Sequence, residues 1–71
     1  MIKVGQVWQT VNKYKIVVTS TKAESYEGEV CIIYSDGYTF DTSNKNSFNF
    51  DKLLAEYPTW QEAVNSKEFK E

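Results

Sequence analysis

Short runs in which β-branched or aromatic side chains occupy every second position dominate residues 1–51. This spacing places the side chains of each run on one face of a β-sheet, because successive residues of a strand point to opposite sides. Turn-forming residues separate the runs, and the alternation stops after residue 51. The pattern predicts five short strands, Gln6–Thr10, Tyr14–Ser20, Tyr26–Tyr34, Tyr38–Thr42 and Ser47–Phe50.

The tripeptide at positions 35–37 predicts a hairpin turn between the third and fourth of these strands. A three-residue loop with Gly37 in the left-handed region would place Tyr34 opposite Tyr38. The apolar side chains of both strands would then share one face, whereas a two-residue loop would place them on different faces. The sequence therefore favours the three-residue loop.

Residues 52–71 lose the alternation and are predicted to be helical. A first helical turn over Lys52–Glu56 would end before Pro58, because proline cannot continue a helix. Thr59, with Glu62 three residues on, matches the capping box at the start of a second helix. Four apolar residues recur at helical spacing across the break and predict a stripe that packs on the sheet: Leu53, Tyr57, Trp60 and Val64.

A second apolar face of the sheet needs a cover. Val17, Cys31 and Ile33 would lie on it, and a chain of this size does not leave such a patch in water without a partner. The helical segment is the expected cover, with a dimer partner as the alternative. Ser66 and Phe69 predict a further small turn, anchored by the phenylalanine.

The length of 71 residues indicates one domain over residues 1–71. We predict a mainly β (α+β) fold: a five-stranded antiparallel SH3-like small barrel over residues 1–51, with the C-terminal helical segment, residues 52–71, packed on it. A split α+β sheet with a covering helix is the alternative. A chain this short buries about 60% of its surface, so most of its aromatic side chains are needed for packing.

The composition excludes several classes of chemistry. The chain contains no histidine and no arginine, and Cys31 is its one cysteine. Without histidine the common general base and metal ligand are missing, and one cysteine cannot form a zinc site or an internal disulfide. We therefore predict a cytoplasmic protein that is not an enzyme, with no catalytic residue, no metal and no cofactor. The apolar run Val30–Tyr34 is too short to span a membrane.

Three segments carry a resemblance to a known group of proteins. The segments Lys3–Trp8, Tyr34–Gly37 and Tyr57–Ser66 resemble parts of small SH3-like barrel accessory proteins encoded by bacteriophages and prophages of Gram-positive bacteria. The resemblance covers about half of the chain and implies a phage protein that acts by binding, with no catalytic residue to transfer.

Charge is distributed unevenly along the chain. Residues 1–23 hold four of the eight lysines and no acidic residue, and residues 24–71 hold all ten acidic residues. Basic and aromatic residues together can bind nucleic acid, but the net charge of −2 and the absence of arginine favour an ordinary solvated hairpin. The candidate interaction surface comprises Trp8, Lys13, Lys15, Tyr34 and Tyr38.

These features favour a small non-catalytic protein-binding module, plausible as a phage accessory protein that binds a host protein. The alternative is a nucleic-acid-binding barrel that uses the basic first third of the chain. A small-ligand binder is the third possibility and would need a concave pocket. We expect a protein partner, no membrane, and a monomer or weak dimer.

Overall fold

The computed structural model describes residues 2–25, 28–35, 37–42 and 50–70. Within these ranges the chain forms one five-stranded antiparallel sheet in the order β4-β3-β2-β1-β5, with two short helices. The prediction of a mainly β fold is confirmed. In this part of the chain the sheet is open, with β4 and β5 at its edges. The elements are β1 (Gln6–Gln9), β2 (Lys15–Ser25), β3 (Gly28–Ser35), β4 (Tyr38–Thr42), β5 (Lys52–Glu56), α1 (Trp60–Val64) and α2 (Lys67–Lys70).

One face of the sheet packs against the two helices. Val7, Val17 and Tyr34 lie side by side across β1, β2 and β3. Val7 and Val17 are fully buried and form the centre of the core together with Ala63 of α1. Burial of each valine contributes about 1.5–3 kcal/mol relative to exposure. The helical segment therefore covers the face that carries Val17, as predicted, with Tyr57, Trp60 and Val64 packed against the core. Leu53 does not belong to this stripe, because it lies in β5 and is 41% exposed.

The opposite face of the sheet carries a second apolar layer. Ile16, Val18 and Ile33 are all buried on it. Trp8 pairs with Ile16 across β1 and β2, and its ring meets that of Phe50 edge to face at a centroid distance of 5.5 Å. The prediction that Ile33 shares a face with Val17 is wrong, because Ile33 pairs with Val18 instead. Both faces of the sheet are thus apolar.

The segment Lys52–Glu56 is a strand, and its prediction as a helical turn is wrong. It pairs antiparallel with β1, and the register shifts between Val7, opposite Ala55, and Trp8, opposite Leu53. This bulge leaves Leu54 without an opposite residue, so Leu54 and Ala55 both pack against the core. The consecutive apolar residues Leu53, Leu54 and Ala55 do not alternate with polar ones, so the sequence favoured a helix there. Pairing with β1 outweighs their helix propensity.

The predicted fifth strand lies largely outside the described residues, and the observed hairpin loop differs from the predicted one. Positions 47–49 lie outside the described residues, and Phe50 precedes β5 without belonging to a strand. In the hairpin, Ser35 pairs with Tyr38, so the loop has two residues rather than three. Gly37 has a φ of 87°, in the left-handed region as predicted. The register differs from the prediction because β3 is apolar on both faces: Tyr34 packs against the core, and Ile33, one position earlier, is buried on the opposite face.

The turns of the C-terminal segment agree with their predictions. Thr59 caps α1, and its Oγ1 accepts a hydrogen bond from the backbone N–H of Glu62 at 3.2 Å. Ser66 links the two helices, since its hydroxyl donates to the carbonyl of Ala63 and accepts from the N–H of Phe69. These contacts fix the direction in which α2 leaves α1.

Gly5 joins the start of β1 to the connection between β5 and α1. Its N–H donates to the carbonyl of Val18 at 2.9 Å, and its carbonyl accepts from the N–H of Tyr57 at 3.0 Å. Its φ is 92°, and a Cβ at this position would collide with the backbone carbonyl of Tyr57. Only glycine combines this conformation with so close an approach of two backbones.

We expect Gly5→Ala to destabilise the fold much more than Gly37→Ala. Both substitutions force alanine into the left-handed region, which costs about 1–2 kcal/mol. A Cβ at Gly37 would meet nothing within 4 Å, whereas at Gly5 it meets backbone, which adds ~1–3 kcal/mol. Urea unfolding followed by tryptophan fluorescence measures both variants, and equal losses would contradict the close approach at Gly5.

Candidate binding groove

A groove of about 800 Å³ opens where the β1–β2 hairpin, the β3–β4 hairpin and α2 meet. It lies beside the core rather than in it, because its floor is formed by half-buried residues. Tyr34 and Phe69 meet there with ring centroids 5.6 Å apart and a tilt of 54°. Val64 of α1 completes the apolar floor.

The first wall of the groove is the turn between β1 and β2. Thr10 is buried at its base, and its Oγ1 accepts a hydrogen bond from the N–H of Tyr14 at 3.1 Å. The N–H of Lys13 donates to the carbonyl of Thr10 at 3.0 Å, with Lys13 at a φ of 73°. Lys15 follows at the start of β2. This closed turn presents Lys13, Tyr14 and Lys15 to the groove, and the side chain of Tyr14 is 67% exposed.

The β3–β4 hairpin forms the second wall. The hydroxyl of Ser35 donates to the backbone carbonyl of Lys15 at 3.1 Å, which ties the hairpin to the start of β2. Gly37 and Tyr38 also line the groove, and Tyr38 is 69% exposed. The observed two-residue loop brings Tyr38 directly opposite Ser35, next to the groove.

Helix α2 forms the third wall and is held by a hydrogen bond from outside the helix. The Tyr57 hydroxyl donates to Oε1 of Glu68 at 2.7 Å. This hydrogen bond holds the pKa of Glu68 below its ordinary value of 4.5, with a backbone hydrogen bond and the charges of Lys67 and Lys15 acting in the same direction. The same hydrogen bond raises the pKa of Tyr57 above 10.0. Phe69 and Lys70, on the same helix, line the groove.

Positive charge surrounds the groove on two sides. Lys13 and Lys15 stand on the first wall, and Lys70 stands on α2. None of the described residues that line the groove is acidic. The charge of Lys15 helps to lower the pKa of Glu68, but the Glu68 carboxylate already accepts a hydrogen bond from the Tyr57 hydroxyl. The groove therefore combines ammonium groups with tyrosine rings and an apolar floor.

The structure brings together four of the five residues of the candidate interaction surface. Lys13, Lys15, Tyr34 and Tyr38 line the groove. Trp8 does not, because its ring lies on the opposite face of the sheet and its indole N–H donates to Oε1 of Gln6 at 2.9 Å. The surface including Trp8 therefore does not form one patch.

Six of the ten described lining residues were outside the predicted interaction surface, among them Tyr14, Phe69 and Lys70. Tyr14 was predicted to be the first residue of the strand Tyr14–Ser20, whereas it precedes β2 and lies in the turn that walls the groove. Phe69 was placed in a small anchored turn, but the groove it completes depends on where α2 lies. Lys70 gave no signal of its own, because a lysine near the end of a chain is ordinarily solvated.

No group of three or more histidine, cysteine, aspartate or glutamate residues among the described residues is arranged to hold a metal ion. Neither helix of the described ranges has the length and apolar character needed to cross a bilayer. Comparisons with protein-family models, with curated proteins and with solved structures find no match for this chain.

We expect Tyr57→Phe to raise the pKa of Glu68 toward 4.5 and to loosen α2. Because the folded-state pKa of Glu68 is lowered, its ionised form stabilises the fold above the ordinary pKa. That contribution is lost as the pH falls through the lowered folded value. NMR titration of the Glu68 carboxyl carbon measures the shift, and thermal unfolding between about pH 6 and pH 3 measures the stability.

The matched control is Tyr14→Phe, which removes a hydroxyl from the opposite wall of the groove. It should leave the titration of Glu68 unchanged. An unchanged Glu68 titration in Tyr57→Phe would show that the hydrogen bond does not set this pKa.

Proposed function

We propose that this chain is a non-catalytic protein-binding module that holds a segment of a partner protein in the groove. The observation that carries the proposal is the pair of largely exposed tyrosines, Tyr14 and Tyr38, that flank an apolar floor. Tyrosine is enriched at energetically dominant positions of protein interfaces, because a large rigid ring loses little conformational entropy on binding.

The construction of the groove supports binding by a preformed surface. Hydrogen bonds at Thr10 and Ser35 fix two of its walls, and that between Tyr57 and Glu68 fixes the third. A preformed groove spares a ligand the ordering cost that a flexible surface would impose. The side chains that line it supply cationic, hydrogen-bonding and apolar contacts, which are the means of recognition in non-catalytic modules.

The strand order supports a finer assignment within the same proposal. Four strands follow one another as a meander, and β5 then returns to pair with β1. We propose on this basis that the sheet belongs to the SH3-like class of small barrels. Together with the resemblance to small phage proteins, this gives an accessory protein that acts in the cytoplasm by binding a host protein.

A nucleic-acid-binding barrel remains the second candidate, since three lysines stand beside exposed tyrosine rings. Lysines on phosphates with bases stacked on aromatic rings are the common mode of single-strand binding. Affinity that comes from phosphate contacts falls steeply as the salt concentration rises, whereas affinity that comes from tyrosine contacts falls little.

The test begins with affinity capture from a lysate of the native host by the tagged protein, in parallel with and without nuclease. The captured protein is then purified, and its affinity for the chain is measured. We expect Tyr14→Ala together with Tyr38→Thr to weaken that affinity by at least ~30-fold, the effect of losing about 2 kcal/mol of anchoring contacts. Leu53→Thr is the matched control, because Leu53 is 41% exposed on a strand outside the groove.

Circular dichroism verifies that the variants are folded. Capture that resists nuclease and depends on the two tyrosines supports the proposal. Loss of capture after nuclease treatment would instead indicate that the protein binds nucleic acid. Equal affinity of the double variant and the wild type would remove the groove from the interface.

A further inference from the structure

We infer that the segment held by the groove is acidic, rich in aspartate or glutamate, and carries aromatic or other large apolar side chains. This inference rests on the proposed function and specifies its ligand. The first ground is charge complementarity. Lys13 and Lys15 stand on one wall and Lys70 on another, so a chain lying between the walls meets ammonium groups from both sides.

The positions of the described acidic side chains agree with this inference. Asp51, Glu56, Glu62 and Glu68 all lie outside the lining of the groove. The hydrogen bond that Glu68 accepts from the Tyr57 hydroxyl lowers the pKa of its carboxyl, and the charge of Lys15 acts in the same direction. An acidic segment would therefore supply the carboxylates that the described lining lacks.

The floor of the groove adds the apolar requirement. Tyr34 and Phe69 present ring surface at the base, with Val64 beside them. A purely acidic segment would leave this floor without a contact, whereas a segment that alternates acidic and apolar residues satisfies walls and floor together. The tyrosines at the rim can also accept aromatic side chains by edge-to-face packing.

The charge of the rest of the molecule favours a protein segment over nucleic acid. Apart from the three groove lysines, the chain carries five lysines and ten acidic residues. The rest of the chain therefore has a formal net charge of −5, which repels a polyanion wherever it passes within a Debye length, about 8 Å, of that surface. A nucleic-acid strand continues past the groove and meets repulsion there, whereas a short acidic segment can end within it.

The chemistry of the cations leads to the same ligand. The chain has no arginine, and lysine binds phosphate as a point charge without the bidentate geometry of a guanidinium group. Lysine ammonium groups pair with carboxylates through single contacts that need no fixed orientation. Three such contacts around an apolar floor suit an irregular acidic segment.

The test is fluorescence anisotropy with four labelled probes. These are short peptides that alternate tyrosine with glutamate, with serine or with lysine, and an oligothymidylate of similar length. We expect the glutamate peptide to bind at least ~5-fold more tightly than the serine peptide at low salt and the lysine peptide to bind worst. The expected preference corresponds to about 1 kcal/mol from exposed ion pairs.

Charge-reversal variants locate the preference. Lys13→Glu with Lys70→Glu should abolish the preference for the glutamate peptide over the serine peptide. Lys22→Glu with Lys52→Glu changes the net charge equally at exposed positions outside the groove and should leave the preference intact. Equal effects of the two double variants would overturn the assignment of the preference to the groove.

The remaining outcomes separate this inference from the proposed function. Equal binding of the glutamate and serine peptides, lost in the Tyr14→Ala and Tyr38→Thr variant, would overturn the acidic ligand and keep the protein-binding groove. Binding of oligothymidylate in preference to every peptide would overturn both. Absence of binding by the glutamate peptide would also overturn the acidic ligand.

Discussion

The buried contact of Val7 and Val17 with Ala63 is the interaction on which the other elements depend. It sets the distance between the sheet and α1, and through the Ser66 turn it sets the position of α2. Because α2 carries Phe69, the same contact decides where the floor of the groove lies. A chain of 71 residues has few buried side chains to spare, so the loss of volume at any of these three positions would affect the sheet and the groove together.

A physical difference separates the parts of the fold that sequence reasoning predicted from those that it missed. β4 and the cap at Thr59 were predicted because their signals are local: a Gly-containing turn and a hydroxyl followed by glutamate. The strand Lys52–Glu56 was missed because its identity comes from a partner, β1, that is far away in sequence. Its bulge also removes the alternation by which strands are recognised, so that tertiary pairing rather than local propensity decides its conformation.

The candidate site follows the same division. Lys13 and Tyr38 were among the predicted residues because Lys13 lies in a turn and Tyr38 borders one, and such positions expose their side chains. Trp8 was grouped with them although it lies on the opposite face of the sheet, since a sheet that is apolar on both faces does not reveal which face an aromatic side chain occupies. Phe69 and Lys70 enter the groove through the docking of α2, which depends on contacts between residues distant in sequence. A site built from three walls is therefore only partly visible in the sequence of any one of them.

The groove also shows how so small a protein can carry a concave surface without giving up core. The floor of the groove is the edge of the core. Tyr34 and Phe69 pack against the buried core with one side of their rings and line the groove with the other. Its rim consists of Tyr14 and Tyr38, which are more than half exposed and contribute little to burial. The floor therefore contributes the stability, and the rim carries the recognition that we propose. Under the proposed function, substitutions at the rim would change the partner while the sheet and its helices remain in place, because the rim side chains are mostly exposed.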